Sequence, residues 1–411
     1  MLAFERFALD NGLRVVVNED ASTPLESVCL IYGVGSRNER PTLTGLAHLF
    51  EHLMFGGSKH VPDFDREMEL AGGQCNAFTT QDVTCYHCQI PPSNLETALW
   101  LESDRMFSLD FKPATLEAQR KVVVEEFKQN YLNVPYGDLY HELLALAYRE
   151  HPYRWPTIGL EVSHIERVGL EDVEDFFFGH YAPNNAVLGL TGPVGRARVE
   201  ELVQAYFGDI PRRQVPGLPG PEPAYQGAPR RLTLERPVPY DLLVVAYPMV
   251  ALSAPDYPVW DLISDVLSNG PSARLKSRLV DAQHLFTDID AVVTGTVDAG
   301  LLIITGYPAP GVSLAQAEAA VLAEVADLQR LGPEELGRMQ AKYATTHLFE
   351  QLDNEERARQ LAFWELQGDA ALWGQQIGSR YDVSLETLRE VARRGMSPAQ
   401  SIVIHYRAVG D

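Results

Sequence analysis

Hydrophobic and polar residues follow two different periods in the first third of the chain. Residues 4–9 and 13–17 alternate like strands, and Asp10-Asn11-Gly12 between them is a strong hairpin turn, because Asn-Gly tolerates the positive φ angles of tight turns. Elsewhere, apolar residues recur with the helical period. The pattern predicts further strands at 27–34 and within 76–89, and helices at 45–55, 63–71, 95–107 and 115–130.

Two distant segments of the chain share the same order of elements. A helix pattern, a proline and a strand pattern occupy residues 170–190, and the same three features occupy 385–405, at a constant offset of 215 residues. Matching order and spacing indicate a duplicated domain. Helices interleaved with hairpin-like strands predict an α+β fold of two similar domains, each a largely antiparallel sheet with helices packed on one face.

A proline- and glycine-rich stretch lies between the two halves. It includes Pro216, Pro219, Pro221 and Pro223, and such a composition is typical of a semi-extended linker. The sequence therefore predicts a first domain at 1–212, a linker at 213–230 and a second domain at 231–411.

Charge and cysteine content limit the classes of function. The 411 residues include 56 acidic and 34 basic side chains, so the net charge of −22 argues against nucleic acid and anionic membranes as partners. No apolar run approaches the roughly 18 residues that span a bilayer, and residues 1–7 do not resemble a signal peptide. Four cysteines form no disulfide framework. We therefore expect a cytoplasmic protein, or a periplasmic one if a signal peptide has been removed.

Cys85 and Cys88 have the CxxC spacing found in metal and redox sites. However, residues 82–90 alternate like a strand, where residues three apart point to opposite faces. We therefore predict that both thiols are reduced packing residues that bind no metal.

The most informative motif is His48-x-x-Glu51-His52. On a helix, the two histidines lie one turn apart on the same face, with Glu51 beside them. Two such imidazoles can chelate one Zn²⁺, while the carboxylate takes a proton from a metal-bound water. The neighbouring residues are strongly apolar, and burying three titratable groups without a partner would cost several kcal/mol. The motif therefore predicts a zinc-dependent peptidase with Glu51 as general base, rather than a chance match.

A catalytic zinc site needs a third protein ligand and one open position. The helix predicted at 115–130 offers two adjacent carboxylates, Glu125 and Glu126. Helical phase does not choose between them, because each lies three or four residues from valines expected to be buried. On spacing alone, both remain candidates.

An HxxEH helix followed by a valine-rich helix ending in Glu-Glu resembles the pitrilysin/insulinase family of zinc peptidases. The likeness is closest to short two-domain members similar to the mitochondrial processing peptidase beta subunit and its bacterial relatives. Matching strings occur along the chain, at residues 9–15, 33–39, 76–79, 151–153 and 181–184. The resemblance implies that His48, His52 and Glu126 bind one zinc ion per chain, with Glu51 as the base.

The resemblance also implies how the substrate binds. Family members bind it as a strand added to a sheet edge, and the matching residues here are Asn76, Ala77 and Phe78. Members often carry a glutamate seven residues before the carboxylate ligand. Gln119 stands at that position, a departure expected to alter the tuning of the site without removing a ligand.

A second departure concerns a partner. Self-sufficient family members carry an arginine and a tyrosine in the second domain that contact the substrate. The matching positions hold Val280 and Phe286, although a small register shift would bring Arg278 to the arginine position, and no tyrosine occurs between Tyr257 and Tyr307. The resemblance therefore implies a heterodimer with a homologous metal-free subunit that supplies the pair, and otherwise a homodimer.

Two other classes are weighed against this interpretation. One is a non-catalytic peptide-binding or assembly subunit like the core proteins of the bc₁ complex, a class that usually loses the metal residues. The other is a structural zinc protein, which needs a fourth protein ligand that the sequence does not offer. The retained HxxEH favours an endopeptidase that cleaves peptides or unfolded segments in an enclosed chamber.

Overall fold

The computed structural model describes residues 2–217 and 229–409 of the chain, which form two sheets with their helices. The strands are β1 (Glu5–Ala8), β2 (Arg14–Glu19), β3 (Glu26–Tyr32), β4 (Gln74–Thr79), β5 (Thr84–Ile90), β6 (Ala186–Gly192), β7 (Arg230–Arg236), β8 (Leu242–Pro248), β9 (Phe286–Val293), β10 (Leu301–Pro308) and β11 (Ile402–Ala408). The first eight helices are α1 (Leu46–Leu53), α2 (Phe64–Leu70), α3 (Leu95–Ser108), α4 (Pro113–Phe127), α5 (Leu139–Ala147), α6 (Val162–Glu166), α7 (Leu170–His180) and α8 (Arg196–Phe207). The remaining helices are α9 (Tyr257–Ser268), α10 (Leu314–Asp327), α11 (Pro333–Glu350), α12 (Asn354–Leu366), α13 (Ala371–Tyr381) and α14 (Leu385–Gly395).

The elements predicted for the first third of the chain are all present, with ends that differ by a few residues. β1 and β2 pair as the predicted hairpin, and Gly12 in their turn has a φ of 92°, a conformation that favours glycine. None of the described helices is both long and apolar enough to cross a bilayer.

The two sheets repeat one topology. The strand order is β1-β2-β6-β3-β5-β4 in the first sheet and β7-β11-β8-β10-β9 in the second. β2 and β6 pair parallel, as do β7 and β11, and every other pairing in both sheets is antiparallel. The second sheet therefore matches the first from β2 to β4, and the prediction of an α+β fold with two similar domains is confirmed.

The described residues group into two compact units that are interleaved in sequence. The first draws on Met1–Leu132, Trp155–Pro219 and Leu348–Gln375, and the second on the intervening stretches and the C-terminal part. The predicted domains are each continuous in sequence. In the structure, Asn133–Arg154 belongs to the second unit and Leu348–Gln375 belongs to the first. Much of the predicted linker, residues 218–228, lies outside the described part of the chain.

Each sheet is covered on both faces. In the first unit, α1, α3, α7 and α8 contribute to one large apolar core, whereas α12 packs on the opposite face of the sheet. The approach of α12 is so close that a Cβ atom on Gly189 would lie 2.4 Å from the carbonyl oxygen of Ala358. In the second unit, Leu143 and Leu144 of α5 cover the second face in the same way. The predicted layer of helices is therefore present, and one further helix, drawn from the other half of the sequence, seals each sheet.

The cysteines of β5 follow the predicted alternation. Cys88 packs in the core beneath the helical layer, while the Sγ atom of Cys85 lies 3.2 Å from Cys29 on the other face. Burial raises the pKa of the Cys88 thiol well above its usual range. These surroundings are those of packing residues, and the absence of bound metal at Cys85 and Cys88 stays a prediction.

Candidate metal centre and active site

Helix α1 carries the HxxEH motif on the face that is turned away from the core. Its apolar residues, including Leu49 and Phe50, are fully buried. The helix begins after Gly45, whose φ is 89°, and the buried Glu39 carboxylate accepts hydrogen bonds from the backbone N–H groups of Gly45 at 3.0 Å and Ala47 at 2.7 Å. An acidic side chain at a helix N-terminus satisfies backbone donors that would otherwise be unpaired. The two hydrogen bonds from Glu39 therefore anchor the N-terminus of α1.

Three donor atoms converge beside α1. The Nε2 atoms of His48 and His52 lie 3.4 Å apart, and Oε2 of Glu126 lies 3.7 Å from each of them. Among the described residues, these three form the cluster able to hold a metal ion. Donors bonded to a tetrahedral zinc at about 2.05 Å would lie about 3.3 Å apart. The observed triangle therefore fits three ligands of a zinc ion and leaves a fourth position open.

Burial determines the protonation of this cluster. It lowers the pKa of His48 to about 4, with His52 as a second cause. It also lowers the pKa of His52, although Glu126 and a hydrogen bond with Gln119 act in the opposite direction. Both imidazoles are therefore neutral near pH 7, so their contacts with Glu126 are not ion pairs. Neutral imidazoles are the form that binds metals.

Glu51 lies next to the three donors and is held by the end of β4. The Thr79 hydroxyl donates a hydrogen bond of 2.5 Å to Oε2 of Glu51. Burial raises the pKa of Glu51, the Thr79 hydrogen bond lowers it, and the nearby Glu126 raises it further. A carboxylate whose pKa is raised toward neutrality is suited to accept and return a proton.

The structure separates the two glutamates that spacing could not distinguish. Glu126 faces the histidines, whereas Glu125 is largely exposed and accepts a hydrogen bond of 2.6 Å from Lys128. Glu126 occupies the last turn of α4, where the chain passes into a π-helical turn at Lys128–Leu132. Such turns inside helices are frequent at functional sites. Gln119, on the same helix, forms a hydrogen bond with His52. A contact of this kind can tune the properties of a metal ligand.

The residues expected to bind substrate lie on an edge strand. β4 ends the first sheet, so Asn76, Ala77 and Phe78 have no described strand on their outer side. Ala77 and Thr79 face α1, while the Phe78 ring lies 6.2 Å from the His87 ring on the other face. The edge strand therefore ends at Thr79, the residue that bonds Glu51.

The positions that match the family's substrate-binding arginine and tyrosine lie in the second unit, and they offer no free arginine. Val280 lies on a π-helical segment, Leu275–Ala282, and is partly buried, while Phe286 at the start of β9 is 2% exposed. Arg278 bonds Glu324 at 2.9 Å and Asp327 at 2.7 Å.

Sequence analysis missed two contributors to the site, Thr79 and Glu39. The strand alternation of β4 could have placed Thr79 on the face of Ala77, but nothing local indicates that α1 covers that face. Glu39 bonds a helix that begins seven residues later, which no local capping pattern reveals.

Two family models match most of the chain. Residues 14–160 match the family model described as insulinase (peptidase family M16), and residues 167–343 match the one described as peptidase M16 inactive domain. The chain is 34% identical over 292 residues to zinc protease PqqE of Helicobacter pylori, covering 68% of this chain and 64% of that protein. It is 27% identical over 281 residues to the mitochondrial-processing peptidase subunit beta of Saccharomyces cerevisiae, covering 64% and 60%.

A solved structure matches this chain over nearly its whole length. The crystal structure of a protease from Helicobacter pylori matches with a TM-score of 0.94 and 26% identity, covering 99% of this chain and 100% of that one. By sequence, the chain spans less than two thirds of the two curated relatives named above. Fold, motif and relatives agree, and the chain belongs to peptidase family M16, the insulinase family.

Proposed function

We propose that this chain is a zinc-dependent endopeptidase that cleaves peptides or unfolded protein segments. The observation that carries the proposal is the convergence of two neutral imidazoles and one carboxylate, 3.4–3.7 Å apart, with a second carboxylate beside them. His48, His52 and Glu126 would hold one zinc ion. The names of relatives as zinc proteases support the choice of metal.

Bound zinc would lower the pKa of a coordinated water and polarise the scissile carbonyl. Glu51 accepts the proton of the attacking water and delivers it to the leaving amine. Thr79 holds the Glu51 carboxylate in one orientation during this exchange, because its hydroxyl donates to one of the two carboxylate oxygens.

The substrate is proposed to pair with the free edge of β4 at Asn76, Ala77 and Phe78. Main-chain hydrogen bonds along an edge strand give affinity with little dependence on sequence. Because Thr79 follows directly and bonds Glu51, a peptide in this position would bring its backbone to the proposed base.

The chain is further proposed to be the metal-bearing subunit of a heterodimer, closing a chamber around the substrate with a homologous metal-free subunit. Val280 and Phe286 are packed apolar residues, and Arg278 is engaged by acidic side chains. The yeast relative is likewise named as a subunit. A homodimer is the alternative arrangement.

A non-catalytic peptide-binding subunit is the second candidate function. The M16 inactive-domain match, at residues 167–343, lies outside the HxxEH motif. This candidate predicts no zinc and no hydrolysis, so metal content and peptidase activity distinguish it from the endopeptidase.

We expect Glu126→Gln to weaken zinc binding by about 100-fold or more, because an amide oxygen is a much poorer zinc ligand than a carboxylate. Glu125→Gln is the matched control and should bind zinc like the wild type, since Glu125 pairs with Lys128 instead. Competition of each purified protein with a zinc chelator measures the affinity. Equal zinc affinity of the two variants would remove Glu126 from the site.

Thr79→Val should lower kcat by about tenfold while leaving zinc content unchanged, because the variant loses one hydrogen bond to Glu51. Thr79→Ser keeps a hydroxyl and should restore most of the activity. Steady-state cleavage of a fluorogenic peptide, with metal content measured alongside, gives both numbers. A serine variant as slow as the valine variant would show that packing, not the hydrogen bond, is the contribution of Thr79.

A further inference from the structure

A pocket of about 880 Å³ lies within the second unit, between the turn that joins β7 to β8 and the loop after β10. Its volume is within the range of ligand sites, about 300–1,000 Å³. The lining is rich in aromatic and proline side chains, among them Tyr136, Tyr240, Tyr307, Pro239, Pro308 and Pro310. None of its lining residues belongs to the proposed zinc site.

Two of the lining tyrosines, Tyr136 and Tyr307, pack against each other at the pocket wall. The rings of Tyr136 and Tyr307 stand nearly perpendicular, at 76°, with centroids 5.6 Å apart. The Tyr136 hydroxyl donates to the backbone oxygen of Tyr240 at 2.8 Å and accepts from its N–H at 3.1 Å. Tyr136 also has a φ of 64°, which is uncommon for a residue other than glycine and persists only where surrounding contacts impose it. Two contacts and a strained backbone therefore hold this ring in place.

The pocket also contains a carboxylate. Among the described lining residues, Asp241 is the one that carries a formal charge, and no lysine, arginine or histidine is among them. Its Oδ1 atom accepts a hydrogen bond of 2.8 Å from the N–H of Ala408, which fixes its orientation. Aromatic faces attract cations through the ring quadrupole, and a carboxylate adds a full opposite charge. A purely apolar ligand would use the rings but would leave the charge of Asp241 uncompensated.

We propose that this pocket binds an organic cation on an apolar stem: the arginine or lysine side chain of a peptide. The tyrosine rings contact the stem and the face of the cation, and Asp241 pairs with its charge. The net charge of −22 for the whole chain acts in the same direction, since it raises the local concentration of cations. The proposal is independent of the peptidase function, because it concerns binding alone.

The test uses the full-length chain and two small probes that an endopeptidase cannot cleave. N-acetyl-arginine amide carries the guanidinium, and N-acetyl-citrulline amide has nearly the same shape without the charge. Dissociation constants are measured by saturation-transfer difference NMR. We expect the arginine probe to bind about tenfold more tightly than the citrulline probe, from the sum of cation–π and charge contacts.

Variants assign the binding to this pocket. Asp241→Asn keeps an oxygen for the Ala408 N–H and should remove the preference for arginine, and Tyr240→Ala should weaken both probes. Glu201→Gln, which removes an exposed carboxylate elsewhere, should change neither constant. Equal affinity for the two probes, no binding of either, or an unchanged preference in Asp241→Asn would each overturn the proposal. Spermidine binding tenfold more tightly than the arginine probe would overturn the assignment to a peptide side chain.

Discussion

Glu51→Gln is expected to keep its zinc and to lose about 10³-fold in kcat for peptide cleavage. General base catalysis is typically worth about 10²–10⁴-fold, and an amide cannot accept the proton of the attacking water. The substitution preserves shape, and the carbonyl oxygen of the new amide can still accept the hydrogen bond that Thr79 now donates to the carboxylate. Metal binding should persist because Glu51 is not one of the three convergent donors.

Zinc content and kcat must be measured on the same preparation. His52→Ala is the contrasting variant, since it removes one of the donors that lie 3.4–3.7 Å apart and should lose both zinc and activity. A Glu51→Gln protein that cleaves peptide within tenfold of the wild-type rate would contradict the role of Glu51 as base. One that loses its zinc would instead make Glu51 a fourth ligand, as in a structural site.

The sequence was sufficient where local rules determine the structure. The Asn11-Gly12 turn predicts the β1–β2 hairpin because Gly12 readily takes the positive φ that closes it. Asn11 also donates hydrogen bonds to the backbone oxygens of Phe207 and Ile210. The HxxEH spacing predicts the convergence of His48 and His52 because one helical turn separates them. Both features depend on residues that lie close together in the chain.

The remainder depends on tertiary contacts that no local pattern encodes. Glu126 rather than Glu125 reaches the histidines because of how α4 packs against α1, and helical phase alone leaves that choice open. The sequence of α12 does not indicate which sheet the helix covers, since its buried residues include Asn354, Arg357 and Glu365. The exchange of helices between the units could therefore not be predicted. Val280 and Phe286 could be located in the sequence, but only the structure shows that Phe286 is a core residue.

The second large effect concerns the partner. We expect the purified chain alone to bind zinc and yet to cleave peptides about 10²–10³-fold more slowly than the same chain paired with a homologous metal-free subunit. The reason is the missing donor pair, since losing one donor to a developing oxyanion costs about that factor. Neither candidate position can substitute for it: Phe286 is 2% exposed, and the Arg278 guanidinium is bonded to Glu324 and Asp327.

Co-expression with that subunit, followed by purification of the pair, measures the gain in kcat/KM. Substituting the partner's arginine by alanine should return the pair to the rate of the isolated chain while leaving the dimer intact, because zinc and Glu51 are untouched. The matched control releases Arg278 from both of its ion pairs. The double substitution Glu324→Gln with Asp327→Asn should not raise the activity of the isolated chain, since freeing one arginine does not supply the absent tyrosine. Full peptidase activity from the chain as a pure homodimer would contradict the heterodimer and would mean that the water-activating half of the site is sufficient.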